Sequence, residues 1–206
     1  RAGSRGEMRS IAQQLAKNGY TAALVSYRFS PEFLYPAPLH DLQQAVHWLS
    51  DNAQQYQLDM SRLGAWGYSA GAHLVTLMAL QAPPTHLPAI KAVVGGGTPV
   101  NFVDYPHSPP VRQFMGSERN DDLARWTQAS PLFQVKHSLS TASFFFYHGI
   151  QDDLVEVRNV QAMHAALTAA GKHSELYLMS GHGHYSTFLI GTAAIDAGVA
   201  YLLRSL

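Results

Sequence analysis

The 206-residue chain contains no cysteine, which excludes disulfides and thiolate metal sites. Charge is sparse: charged residues make up 14% of the chain, and 14 basic side chains balance 14 acidic ones. With no net charge and no basic stripe, the chain lacks the electrostatic footprint of a nucleic-acid binder. It also lacks a long apolar run. The longest, residues 188–203, is too short for a comfortable membrane span and is interrupted by Asp196. No signal peptide is visible, which leaves the compartment open with a slight preference for the cytoplasm. Internal repeats and low-complexity tracts are missing. The length and the 47% hydrophobic content fit one globular domain over residues 1–206.

Two hydrophobic periods alternate along the chain. Helical spacing is expected over residues 8–17, 39–54, 70–80, 157–170 and 187–203, and short apolar strands over 21–27, 63–66, 90–94, 143–147 and 175–179. Strand–helix alternation implies crossover connections, hence an α/β fold with a mostly parallel sheet covered by helices on both faces. The alternation lapses over residues 99–137, where Pro106, Pro109, Pro110 and Pro131 mark an irregular insertion beside the sheet.

The chemistry concentrates at Gly67-Tyr68-Ser69-Ala70-Gly71. An apolar strand precedes it and a helical run follows, the setting in which G-x-S-x-G forms a nucleophile elbow. The turn strains the serine backbone, and the glycines on either side are expected to let neighbouring chain pass without a Cβ clash. The Ala70 N–H then points where an oxyanion would form. A serine hydroxyl needs a neutral imidazole to take its proton, and the imidazole needs a carboxylate to fix its tautomer. Loops after the later strands offer both. His148-Gly149-Ile150-Gln151-Asp152 follows one, and Ser180-Gly181-His182-Gly183-His184 follows the next. The assignment is Ser69 as nucleophile, Asp152 as orienting acid and His184 as base. Asp153 and Glu156 compete for the acid, and His182 for the base. The His182–His184 pair lacks an H-E-x-x-H helix and a third ligand, so neither a metal nor another cofactor is expected. Phe102, Tyr105, Phe114 and Met115 in the insertion, with Tyr68 beside the nucleophile, are candidates for an apolar substrate pocket. His40, His47 and His73 are read as surface or structural histidines.

These segments together resemble the α/β-hydrolase carboxylesterases, in the hormone-sensitive-lipase-like and acetyl/feruloyl esterase branch. Tyr27-Arg28-Phe29-Ser30-Pro31-Glu32 is similar to the branch's Y-R-x-[AS]-P-E segment, and Pro36-Ala37-Pro38-Leu39-His40-Asp41 to its P-A-x-x-x-D helix entry. Ser69-Ala70-Gly71, Ala129-Ser130-Pro131, His148-Gly149-x-x-Asp152 and Gly183-His184 follow in the family's order. Within the resemblance, Arg28 and Glu32 look like a structural pair bracketing a loop. Ser69-Ala70-Gly71-Ala72-His73-Leu74 is also similar to aryl-formamidase-type hydrolases, which keeps amide or formamide cleavage open.

The resemblance implies a serine hydrolase acting on small carboxylic esters, short acyl chains first, through an acyl-enzyme. A catalytically silent hydrolase fold used for binding is the rival from another class. The family's His-Gly-Gly loop, the second half of its oxyanion hole, has no match; Arg1-Ala2-Gly3-Ser4 resembles only its tail. The chain is therefore expected to be incomplete at its N-terminus and to lack the early strands. A lost oxyanion donor costs about 10²–10³ in turnover. Oligomeric state is open.

Overall fold

The structure, a computed structural model, describes residues 3–82 and 87–206; the Arg1-Ala2 end of the loop-like segment lies outside them. After a short 3₁₀ turn comes α1 (Arg9–Lys17), followed by α2 (Ala37–Asp51) and the single turn α3 (Ala53–Tyr56). Then come β1 (Gly64–Tyr68), α4 (Ala70–Leu80) and β2 (Ala92–Gly96). The irregular stretch holds α5 (Pro109–Met115), α6 (Leu123–Gln128) and α7 (Pro131–Gln134). The chain closes with β3 (Ser143–Gly149), α8 (Arg158–Ala169), β4 (Ser174–Met179), α9 (His184–Ile190) and α10 (Thr192–Ser205).

The four strands form one parallel sheet in the order β1-β2-β3-β4. Alternation along the strands sorts side chains onto two faces. On β3, Phe144 and Phe146 enter one apolar cluster with Leu74, Leu77, Val160 and Leu167 from α4 and α8. Phe145 and Tyr147 enter the other, with Tyr201 and Leu202 from α10. A strand buried on both faces reads as the continuous run Phe144–Tyr147 instead of an alternating one.

Two expectations are corrected. Residues 21–27 have the apolar pattern of a strand, and Val25 and Tyr27 do pack on the core. Yet they join no ladder, and β1 pairs with β2 alone among the described residues. The pattern reports which side chains are buried, not whether a backbone partner lies alongside. Likewise the helix expected over 187–203 is two helices bent by 68° at Gly191. A Cβ there would sit 2.2 Å from the Thr187 carbonyl oxygen. Among the described residues no single helix is long and apolar enough to cross a membrane.

The elbow glycines differ in what they do. A Cβ on Gly67 would lie 2.4 Å from the Gly71 carbonyl carbon and 2.5 Å from the Ala72 nitrogen, backbone that cannot yield. A Cβ on Gly71 would meet nothing within 4 Å, so only the first glycine is sterically required. Gly67→Ala is expected to destabilise the fold by ~1–3 kcal/mol or more. Gly71→Ala is expected to be neutral or stabilising by up to ~1 kcal/mol through helix propensity. Thermal melts of the two variants check the contrast; equal losses would contradict it.

Candidate active site

All the chemical groups gather beyond the carboxyl ends of the strands, where ligands bind in open α/β sheets. Ser69 sits between β1 and α4 with φ 51° and ψ −118°, a strained backbone for a residue with a Cβ. The strain is held from both sides: the Ser69 N–H donates to the Gly96 carbonyl at 2.8 Å, and the Ser69 carbonyl accepts from His73 N–H at 2.9 Å. Ala70 opens α4, so its N–H has no carbonyl one turn earlier to bond and is left free for a ligand.

From Ser69 a relay runs inward. Ser69 Oγ is 2.9 Å from His184 Nε2, and His184 Nδ1 is 2.7 Å from Asp152 Oδ2. His184 is 4% exposed and Asp152 5%, so the imidazole and carboxylate meet out of water. The other carboxylate oxygen, Oδ1, accepts the amides of Leu154 at 3.0 Å and Val155 at 2.8 Å. Burial pushes the Asp152 carboxyl upward. Hydrogen bonds from His148, His184 and the Val155 amide outweigh that and hold it well below the usual carboxylate range. The carboxylate is therefore ionised and fixes the proton of His184 on Nδ1, leaving Nε2 free to accept from serine.

The competitors fall elsewhere. Asp153 is exposed, Glu156 is paired with Arg158, and His182 Nδ1 bonds the Ser180 carbonyl at 3.0 Å. Among the described residues no cluster of His, Asp or Glu could hold a metal ion.

Several pocket candidates occupy other places. Met115 is fully buried and Phe102 is 6% exposed, both in the core cluster; apolar side chains in an irregular stretch look alike in sequence whether they line a pocket or fill a core. Half-buried Phe114 packs edge-on to Phe102, their ring centres 5.8 Å apart. Tyr105 accepts hydrogen bonds from Asn159 Nδ2 at 2.9 Å and Arg158 Nε at 3.1 Å, tying the irregular stretch to α8. Tyr68 lies behind the histidine: its hydroxyl donates to the His184 carbonyl at 2.5 Å and its ring centre is 5.3 Å from the imidazole. Burial raises the Tyr68 hydroxyl far above its ordinary pKa, so it remains a donor. Gly97 makes room for this pair, since a Cβ there would come within 2.9 Å of the Tyr68 ring and 3.0 Å of His184 Cε1. Arg28, expected to pair with Glu32, instead grips Asp41 bidentately at 2.8–3.0 Å. The Asp41 carboxylate also accepts the Arg28 N–H, which fixes the chain entering α2. A cavity of about 170 Å³ lined by Met78, Ile90 and Leu139 lies at the opposite, amino end of the strands, away from Ser69.

His73, one turn beyond Ser69, is structural. It is 2% exposed, its Nδ1–H donates to the Pro99 carbonyl at 3.1 Å, and its ring stacks on Phe102 at 4.4 Å. Burial pulls its pKa down from 6.5 to about 4. As pH falls below 6.5 the unfolded chain takes up this proton while the folded chain does not. Stability is therefore lost between pH 6.5 and pH 4, by about 3 kcal/mol from this group. Denaturant unfolding at pH 7 and pH 4.5 should show the loss, and His73→Gln should reduce it. An equal pH slope in the variant would contradict the assignment.

A strained serine at a strand-to-helix turn of a parallel sheet, met by histidine and aspartate from the following loops, defines an α/β-hydrolase. The chain belongs to the BD-FAE family, whose model matches residues 1–167, a range that includes Ser69 and Asp152 and stops short of His184. It is 27% identical over 204 residues to the esterase LipQ of Mycobacterium tuberculosis, covering 92% of this chain and 48% of that protein. The chain thus spans about half the length of the curated relatives it matches. Among solved structures it is similar to the butyrate-bound esterase Est2 of Thermogutta terrifontis, with TM-score 0.82 and 18% identity over 99% of this chain and 79% of that one. A truncated carbohydrate esterase from gut microbiota gives TM-score 0.83 and 20% identity, covering 95% of this chain and 78% of the other.

In the sequence His148 is only part of a family segment, and Tyr68 is only a pocket candidate beside the nucleophile. Neither has a local signal. Their contacts with Asp152 and His184 are made across loops that only the folded chain brings together.

Proposed function

We propose that the protein hydrolyses carboxylic esters with short acyl chains through an acyl-enzyme on Ser69. The observation that carries this reading is the unbroken relay from Ser69 Oγ through His184 to the ionised Asp152. Ser69 Oγ attacks the ester carbonyl carbon while His184 Nε2 takes its proton. The oxyanion that forms is met by the Ala70 N–H, and Asp152 steadies the imidazolium. The intermediate collapses, the C–O bond to the alcohol breaks, and His184 returns the proton to the leaving oxygen. Water, giving a proton to the same imidazole, then attacks the acyl carbon. On collapse the bond to Ser69 Oγ breaks, His184 returns the proton to that oxygen, and the carboxylic acid leaves and ionises in water.

The relatives support ester over amide cleavage, since LipQ is named an esterase and a further relative, from rice, a probable methylesterase. The butyrate held by the fold neighbour Est2 supports a short acyl chain. The test is a p-nitrophenyl ester series from acetate to dodecanoate with formanilide alongside. Turnover should be highest on acetate or butyrate and absent on formanilide. A preference for dodecanoate or for the amide would overturn the reading.

A further inference from the structure

The carboxylate of Asp152 touches a second imidazole. His148, fully buried at the end of β3, places Nε2 2.7 Å from the Val155 carbonyl oxygen and 3.3 Å from Asp152 Oδ2. A carbonyl oxygen can only accept, so Nε2 carries a hydrogen and donates it to Val155, while Asp152 Oδ2 lies 3.3 Å from the same nitrogen. The other ring nitrogen, Nδ1, is buried with no partner. Leaving a buried acceptor unpaired is costly, and a leucine or phenylalanine would fill the same space without that cost. What only the imidazole supplies is the Nε2–H.

We propose that His148 is a positioning residue for Asp152, holding the carboxylate at the angle from which it orients His184. The inference rests on the triad reading above and adds a member to it. The placement is rigid where it has to be: His148 lies within the β3–β4 ladder opposite Leu178, whereas Asp152 lies on the turn that follows. One nitrogen spans that turn, donating to the Val155 carbonyl near its end and lying 3.3 Å from the acid near its start. The Leu154 and Val155 amides hold Oδ1 from one side, and His148 and His184 approach Oδ2 from the other. Without the His148 imidazole the carboxylate keeps its two amides and His184 but loses the one further contact on Oδ2 that sets its angle, and the Ser69–His184 alignment slackens. Misplacement on the order of 1 Å can cost ~10²-fold in rate.

The experiment is a double-mutant cycle in the full chain, read as kcat and KM on p-nitrophenyl acetate. His148→Leu is expected to lower kcat ~10–100-fold with KM unchanged. His148→Gln, which can still donate to Val155 and Asp152, is expected to recover most of that loss. In an Asp152→Asn background, His148→Leu should cost little more, because the residue acts through the carboxylate. An equal loss in both backgrounds would make His148 merely structural, and a His148→Leu enzyme with full turnover would also overturn the proposal. If Asp152→Asn alone left turnover intact, the triad reading itself would fail, a distinguishable result. Should His148→Leu not fold, nitrogen-15 NMR of the wild-type histidines decides. The expected tautomer carries its proton on Nε2; a proton on Nδ1 alone would remove the donor and the proposal.

Discussion

Ser69→Ala is expected to lower ester turnover on the order of 10⁶-fold while leaving the fold intact. The hydroxyl faces His184 Nε2 at 2.9 Å, and alanine keeps the Cβ that the turn already accommodates. A sharper form of the prediction uses the strain itself. Ser69 is held at φ 51°, a region that costs a residue with a Cβ about 1–3 kcal/mol and glycine almost nothing. Ser69→Gly should therefore be as inactive as the alanine variant and melt at a higher temperature than the wild type. Loss of activity with a rise in melting temperature identifies strain kept for chemistry. A wild-type rate in either variant would remove Ser69 from the mechanism, and a lower melting temperature for the glycine variant would remove the strain argument.

Asp152→Asn is expected to cost ~10⁴-fold in kcat, and Asp153→Asn close to nothing. The size follows from how the site is wired. Oδ1 of Asp152 accepts two backbone amides, from Leu154 and Val155, so the asparagine must place its own oxygen there. Its NH₂ then takes the place of Oδ2 and faces His184 Nδ1, which is 2.7 Å away in the wild type. Two donors cannot face each other, so the imidazole moves its proton to Nε2, and a protonated Nε2 cannot accept from Ser69. The variant thus has the right shape and the wrong tautomer. Side-by-side kcat measurements on the two asparagine variants check this, and the reverse pattern would move the acid by one residue.

The meeting of Ser69, His184 and Asp152 was legible because each sits in a short local pattern at the end of a strand, and parallel strands bring their carboxyl ends to one edge whatever lies between. Ser69, Asp152 and His184 need only their chain order and that rule. Contacts between elements were not legible. Arg28 finds Asp41 because the chain turns back onto α2, a partnership 13 residues away that no periodicity marks. Tyr68 reaches His184 across 116 residues of sequence. Residues 21–27 read as a buried strand because an apolar run looks the same with or without a ladder beside it, and Met115 read as pocket wall because only packing separates a wall from a core. The bend at Gly191 brings the chain so close to the Thr187 carbonyl that only a residue without a Cβ fits, and nothing in the helical pattern of residues 187–203 marks that approach.

The most direct test of the central claim is labelling with a fluorophosphonate followed by intact-mass and peptide-level mass spectrometry. A nucleophile activated by the relay should give a single adduct on Ser69 that is absent from Ser69→Ala and strongly slowed in His184→Ala but not in His182→Ala. No adduct, or an adduct on another residue, would contradict the account of Ser69 as an activated nucleophile and favour a hydrolase fold used for binding.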